Sequence, residues 1–275
     1  GECRWRVVDE QSRSVRAVSI LGDDVYASFD SSVEAFSVKD GRPTRLPWDC
    51  AAPVLALAAD GVHVYAGCLD RKVRCEDWTG PPLSGWARAL TVLKDGALVQ
   101  VSCEAAVLVK DGAVVKTLDA GPTTNEEEAW RRHDICALGS SSRYLVGGLV
   151  DGSLRRWSTE DWAMDVLPNA LANRAVGVAV SEDGAVVACD AASVKRFWAS
   201  DAAEWRAPSK IAAFASFEAT VAVGLTNGEV WLLDAATLAP LRSVEASEAG
   251  VASVALSRDV LVVGDAEGVV VAFDL

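Results

Sequence analysis

The residues of this chain that could carry chemistry are paired carboxylates, two imidazoles and a set of arginines beside tryptophans. Acid pairs recur, as in Asp23 with Asp24 and Glu182 with Asp183. Neighbouring carboxyls can divide general-acid and general-base work when their surroundings separate their pKa values. These pairs sit in stretches such as "GDD" and "EDG", where Asp and Gly accept the backbone angles of tight turns, so turn preference accounts for them without catalysis. His63 and His133 are the two histidines, and neither stands in a ligand cluster, which argues against a zinc site built from His and Cys. They also leave little choice of base for a nucleophile. No GxSxG elbow, no GxxxxGKS or GxxxxGKT loop and no helix-opening GxGxxG is present, which removes common nucleophile and phosphate-binding devices. The expectation is a non-enzyme with no cofactor and no metal, although catalytic residues can converge from distant parts of a chain.

Arginine and tryptophan give the stronger signal. Trp48, Trp86, Trp130 and Trp205 precede apolar runs that begin new units, and Arg88, Arg131, Arg132, Arg174, Arg206 and Lys210 lie in such leading segments as well. Arg beside Trp is the composition of interface anchors, since both bury large areas and Arg bonds directionally to carboxylates. The competing reading is packing, in which the tryptophans fill space between outer strands and the arginines are solvated. If the interface exists, its partner is a protein or peptide presenting carboxylates or phosphate, because an Arg cluster complements those groups.

The elements that must position these residues are set by a repeat. Ser28, Gly67, Ser102, Gly148, Ala188, Gly224 and Gly264 each close an apolar run ahead of a turn, at a spacing of about forty residues. Each unit reads as an apolar run, a polar turn, a second run such as "VYAS" or "YLVGG", another turn, and a third run such as "VWLLD". First strands are expected near Val15, Val54, Ala89, Ile135, Val176, Ile211 and Val251, with no helix longer than a turn or two. The last repeat supplies three strands, while Cys3 to Val8 reads as an isolated one. Pairing the two would close a ring and remove its open edges. The expected architecture is therefore an all-β, seven-bladed β-propeller of four-stranded antiparallel blades. Its repeats fall at about 12–50, 51–85, 86–132, 133–174, 175–209, 210–249, and 250–275 plus 1–11. The longest spacing holds an insertion, "DAGPTTNEEEAWRR", at 119–132, the kind of loop that either carries function or is simply solvated.

The end of each unit resembles the WD40 repeat, which closes on a pattern like "DGxVxxWD". The matches are "DGSLRRWS" from Asp151, "NGEVWLLD" from Asn227 and "EGVVVAFD" from Glu267, with "SSVEAFS" and "RKVRCED" weaker. The Gly-His pair that opens a WD40 unit is missing throughout, so the resemblance is divergent. "VYASFDSSVEAFSVKDGRPTRLPW" also resembles the quinoprotein-like repeat, which implies either a cofactor-binding oxidoreductase or an assembly subunit. Against the cofactor stand the absence of an adjacent Cys pair and of a ligand cluster. Sialidase-like Asp boxes are missing as well. The WD40 resemblance implies a protein-interaction scaffold, a monomeric ring within a larger complex.

The charge of −13, with 39 acidic against 26 basic residues, disfavours general binding to nucleic acid or anionic lipid. Seven Cys without a CxxC pair fit reduced thiols, hence a cytoplasmic or nuclear setting. Cys68, Cys103 and Cys189 are expected to share one column of the repeat as small apolar fillers. No apolar run approaches the roughly 20 residues of a membrane helix. The charged start "GECRWRVVDEQSR" reads as lacking a secretory leader, and the missing initiator Met reads as an excised domain or fragment.

Overall fold

The computed structural model describes residues 2–102, 105–120, 134–168, 170–198 and 203–275. Their strands form seven antiparallel four-stranded sheets. First strands, nearest the axis, are Val15–Leu21, Val54–Ala59, Leu90–Val92, Ile135–Ser140, Gly177–Val180, Ile211–Phe217 and Val251–Leu256. They neighbour one another in a closed circuit, the last packing on the first. The chain is thus a seven-bladed β-propeller whose strands begin within a residue of the positions read from the apolar runs. Among the described residues no helix is long and apolar enough to cross a membrane.

Burial explains why these runs read as they do. The second strand of each blade is sandwiched between neighbouring sheets and is apolar almost throughout, as in Val260–Asp265, where every residue is buried. Such a strand loses the polar alternation of a half-exposed one. The outermost strands recover it: Pro240–Glu245 alternates between exposed and partly buried positions.

The recurring small residue has a packing cause. A Cβ on Gly148 would lie 2.5 Å from the Cβ of Ala175, and one on Gly224 or Gly264 would strike Val251 or Val15 of the next blade at 2.3 or 2.4 Å. In the first blade the position is Ser28, whose hydroxyl accepts the Ala17 N–H at 3.0 Å. Two positions of the repeat column need correction. Leu90 pairs with Gln100 and Gly177 with Cys189, so the equivalent residues are Val101 and Cys189, one place from Ser102 and Ala188. Cys189 therefore stands in the small-residue column and not beside Cys68, which pairs with Val54. Cys103 lies outside the described residues.

Closure follows the expected route. Cys3–Val8 pairs antiparallel with Val269–Asp274, completing the seventh blade from both ends of the sequence. Arg4 donates to Asp274 at 2.6 Å, and the Trp5 indole N–H donates to the Val38 carbonyl at 2.8 Å. The core lies between blades. One cluster joins Trp5, Val15, Val25 and Phe36 to Val262 and Ala272 across the closure.

Candidate functional site

Antiparallel order puts the links between blades and the turns between second and third strands on one face, here the upper face. The first-to-second and third-to-fourth turns occupy the lower one. First strands start at the upper face, and near those starts Arg16, Leu55, Arg88 and Cys136 of blades one to four line the axial channel. The channel encloses about 590 Å³, and Arg16 and Arg88 are the charged residues among those that line it.

Beside this mouth lies a cleft of about 420 Å³ lined by Arg71, Ser84, Trp86, Arg88 and Asp134. Three local features shape it. Arg71 occupies a second-to-third-strand turn with φ of 68°, and its carbonyl accepts the Leu83 N–H at 2.8 Å, tying that turn to the following link. Trp86, on the link, is 47% exposed. The Arg88 guanidinium stacks 4.5 Å from the centre of its ring, a cation–π pair that holds both side chains at the cleft. Asp134 closes the far wall from the start of the fourth blade.

Electrostatics separate these arginines from others on the same face. Arg13 is consumed internally by Asp9 at 2.8 Å and Glu34 at 3.2 Å, and Arg74 by Asp70. Among the described residues Arg16, Arg71, Arg88 and Arg174 have no carboxylate within ion-pair distance. Burial pushes the Cys136 thiol up, and Arg174 and Arg88 pull against that shift, so both cations act on the channel mouth. The thiol bonds to the carbonyls of Ala175 and Gly148 at 3.1 and 3.3 Å.

The residues singled out from sequence separate into distinct settings. Trp86 and Arg88 meet in the cleft. Trp48 is half-buried on the outermost strand of the first blade, against Val33, Cys50 and Val54. Trp205 packs 5.7 Å from Trp231. Arg206 extends along an outer strand near Glu204, at 3.5 Å, while Arg174 and Lys210 are exposed where first strands begin. Trp130, Arg131 and Arg132 lie outside the described residues. Sequence reasoning passed over Arg71 and Arg16. The turn after Cys68 was the available signal for Arg71, because second-to-third-strand turns share the face of the links.

Several lower-face carboxylates are engaged in their turns. Asp95 and Asp183 accept the N–H groups of Ala97 and Ala185. Burial alone would raise the Asp60 carboxyl, but the N–H groups of His63 and Val62 and the Tyr65 hydroxyl outweigh it, to about 2. Among the described residues no group of three His, Cys, Asp or Glu side chains could hold a metal ion.

The fold and this cleft define a β-propeller with an arginine-lined mouth on its upper face. It is similar to the crystal structure of the computationally designed Ika8 protein, with a TM-score of 0.72 and 17% identity over the whole of both chains, a likeness of fold alone. Neither a protein-family model nor a curated relative matches the sequence.

Proposed function

We propose that the chain is a divergent WD40-type propeller acting without catalysis as a rigid platform for a protein or peptide segment that carries carboxylates or phosphate. One observation carries this reading. The stacked Trp86–Arg88 pair and Arg71 present an exposed aromatic surface and two guanidinium groups that have no carboxylate partner among the described residues, at one 420 Å³ cleft. Guanidinium forks match carboxylate and phosphate oxygens in pairs. Blade packing fixes the loops beforehand, so association loses less conformational freedom than binding by mobile loops would.

The test is a fluorescence-polarisation screen of acidic and phosphorylated peptides against the wild-type chain and a Trp86→Ala, Arg88→Glu variant of equal thermal stability. A true anchor contributes about 2 kcal/mol or more, so affinity falls at least about thirtyfold in the variant and declines with salt in the wild type. Peptides that bind both proteins equally, or with no salt dependence, would overturn the assignment to this cleft.

A further inference from the structure

Between the second and third blades, on the lower rim, lies a groove of about 400 Å³ lined by Tyr65, His63, Trp78 and the carboxylates of Asp60, Asp77 and Asp111. Tyr65 and Trp78 meet edge to face at 6.5 Å, and His63 lies 6.1 Å from Tyr65. Asp60 is held by its own turn. Asp77 and Asp111 have no basic partner within ion-pair distance among the described residues.

Two other grooves between blades pair aromatic with acidic side chains, and there the protein supplies its own arginine. Between the fourth and fifth blades, Arg156 lies over Tyr144 at 5.1 Å and Trp198 at 4.6 Å, donates to Asp165 at 2.6 Å and bonds to the Gly184 carbonyl at 2.6 Å. Between the first and second, Arg45 lies 5.9 Å over Tyr26, with Asp24 at 3.8 Å and Glu76 at 3.5 Å.

Register shows what differs in the second blade. Gly67 pairs with Val73 and Gly148 with Leu154, so two residues further on Cys75 stands where Arg156 stands. Cys75 pairs with Trp78 and Arg156 with Asp165, so an indole replaces the carboxylate. The hairpins correspond too: Gly96 donates to Leu93 as Gly184 donates to Ser181. A Cβ on Gly184 would meet Arg156 and Tyr144 at 2.9 Å, whereas one on Gly96 would meet nothing within 4 Å. The register thus puts a short thiol where Arg156 stands and an indole where Asp165 stands; the groove draws its aromatic and acidic lining instead from Tyr65, Trp78, Asp77 and Asp111, with the Cys75 thiol donating to Asp77 at 3.5 Å.

We infer that this groove receives an arginine side chain from a protein or peptide partner, its guanidinium against Tyr65 and Trp78 and its N–H groups toward Asp77 and Asp111. The site is separate from the upper cleft and does not depend on it. A planar cation suits aromatic faces beside carboxylates better than a compact ammonium does.

The probe is a capped Gly-Arg-Gly peptide titrated into the folded chain, read by NMR at the Trp78 indole N–H and assigned with Trp78→Phe. The expected result is a saturable shift in the millimolar range, absent with Gly-Gln-Gly and at least about fivefold weaker with Gly-Lys-Gly. Cys75→Arg should fill the groove from within and weaken binding by at least about tenfold. Because that variant places a long side chain at a buried position, Asp77→Asn with Asp111→Asn is the companion, altering exposed turn residues alone and weakening binding by about fivefold or more. Trp86→Ala should leave binding unchanged. The inference is overturned by no saturable shift in the wild type, by equal response to the glutamine or lysine peptide, or by unchanged binding in the Asn double variant.

Discussion

Trp5→Ala tests whether the two ends of the chain hold the ring shut. Trp5 is 8% exposed on the strand that completes the last blade, with its ring against Gly41, where an added Cβ would lie 2.8 Å away. Its indole N–H donates to the Val38 carbonyl of the first blade. Truncating a buried indole costs about 3–5 kcal/mol, and leaving the carbonyl without its donor adds about 1 kcal/mol. The total, about 4–6 kcal/mol, is a large share of the roughly 5–15 kcal/mol that separates folded from unfolded chains. With a urea slope of about 3 kcal/mol per molar, the midpoint should fall by more than about 1 M. The assay is equilibrium urea unfolding followed by far-UV circular dichroism and tryptophan fluorescence on the same samples. Trp5 shares its cluster with Val15, Val25, Phe36 and Ala272, so loss of closure should move both probes together. A midpoint within about 0.3 M of wild type would refute the reasoning. So would an early fluorescence step that leaves the circular dichroism transition in place, because that would be local fraying.

Two further outcomes follow from particular geometries. Gly228 has φ of 90°, and a Cβ there would fall 1.6 Å from the Ser247 carbonyl oxygen, whereas Gly22, at 59°, would meet nothing within 4 Å. Gly228→Ala should therefore cost about 3 kcal/mol or more and Gly22→Ala about 1, and equal melting temperatures for the two variants would contradict this. Asp60 titrates at about 2 in the folded chain, below the roughly 3.9 of an unfolded Asp. A depressed carboxyl stabilises fully above the unfolded value and ceases to do so as pH falls through the folded one. Asp60→Asn should thus lower the melting temperature at pH 7, with the gap to wild type narrowing below about pH 4. A gap that stays constant down to about pH 2.5 would show that the carboxylate charge is not what the turn uses.

What could be read in the sequence, and what could not, depends on whether the controlling contact lies within a blade or between blades. Strand positions were legible because each blade repeats its own apolar runs, and Cys3–Val8 stood out as the partner missing from the last one. The small-residue column was legible where steric pressure from the next blade is severe, at Gly148, Gly224 and Gly264. It slipped by one residue in the third and fifth blades, where Val101 and Cys189 take the position and Ser102 and Ala188 beside them carry the same small, turn-adjacent look. Trp86 and Arg88 were visible as types, but Trp48 and Trp205 share their spacing and occupy packed outer strands, because distance from the link decides which tryptophan reaches the upper face. The groove at Cys75 was invisible for a related reason. Its meaning comes from equivalence with Arg156 and Arg45, and Arg45 reaches its groove from a different position in the repeat, over Tyr26 from the link to the outer strand. A column-by-column reading would align Cys75 with Ala35 and Arg156 and find only variability. What relates these grooves is a cation position between aromatic and acidic side chains, filled by the protein's own arginine at Tyr144 and Tyr26 and not at Tyr65, and it emerges only when neighbouring blades are brought side by side.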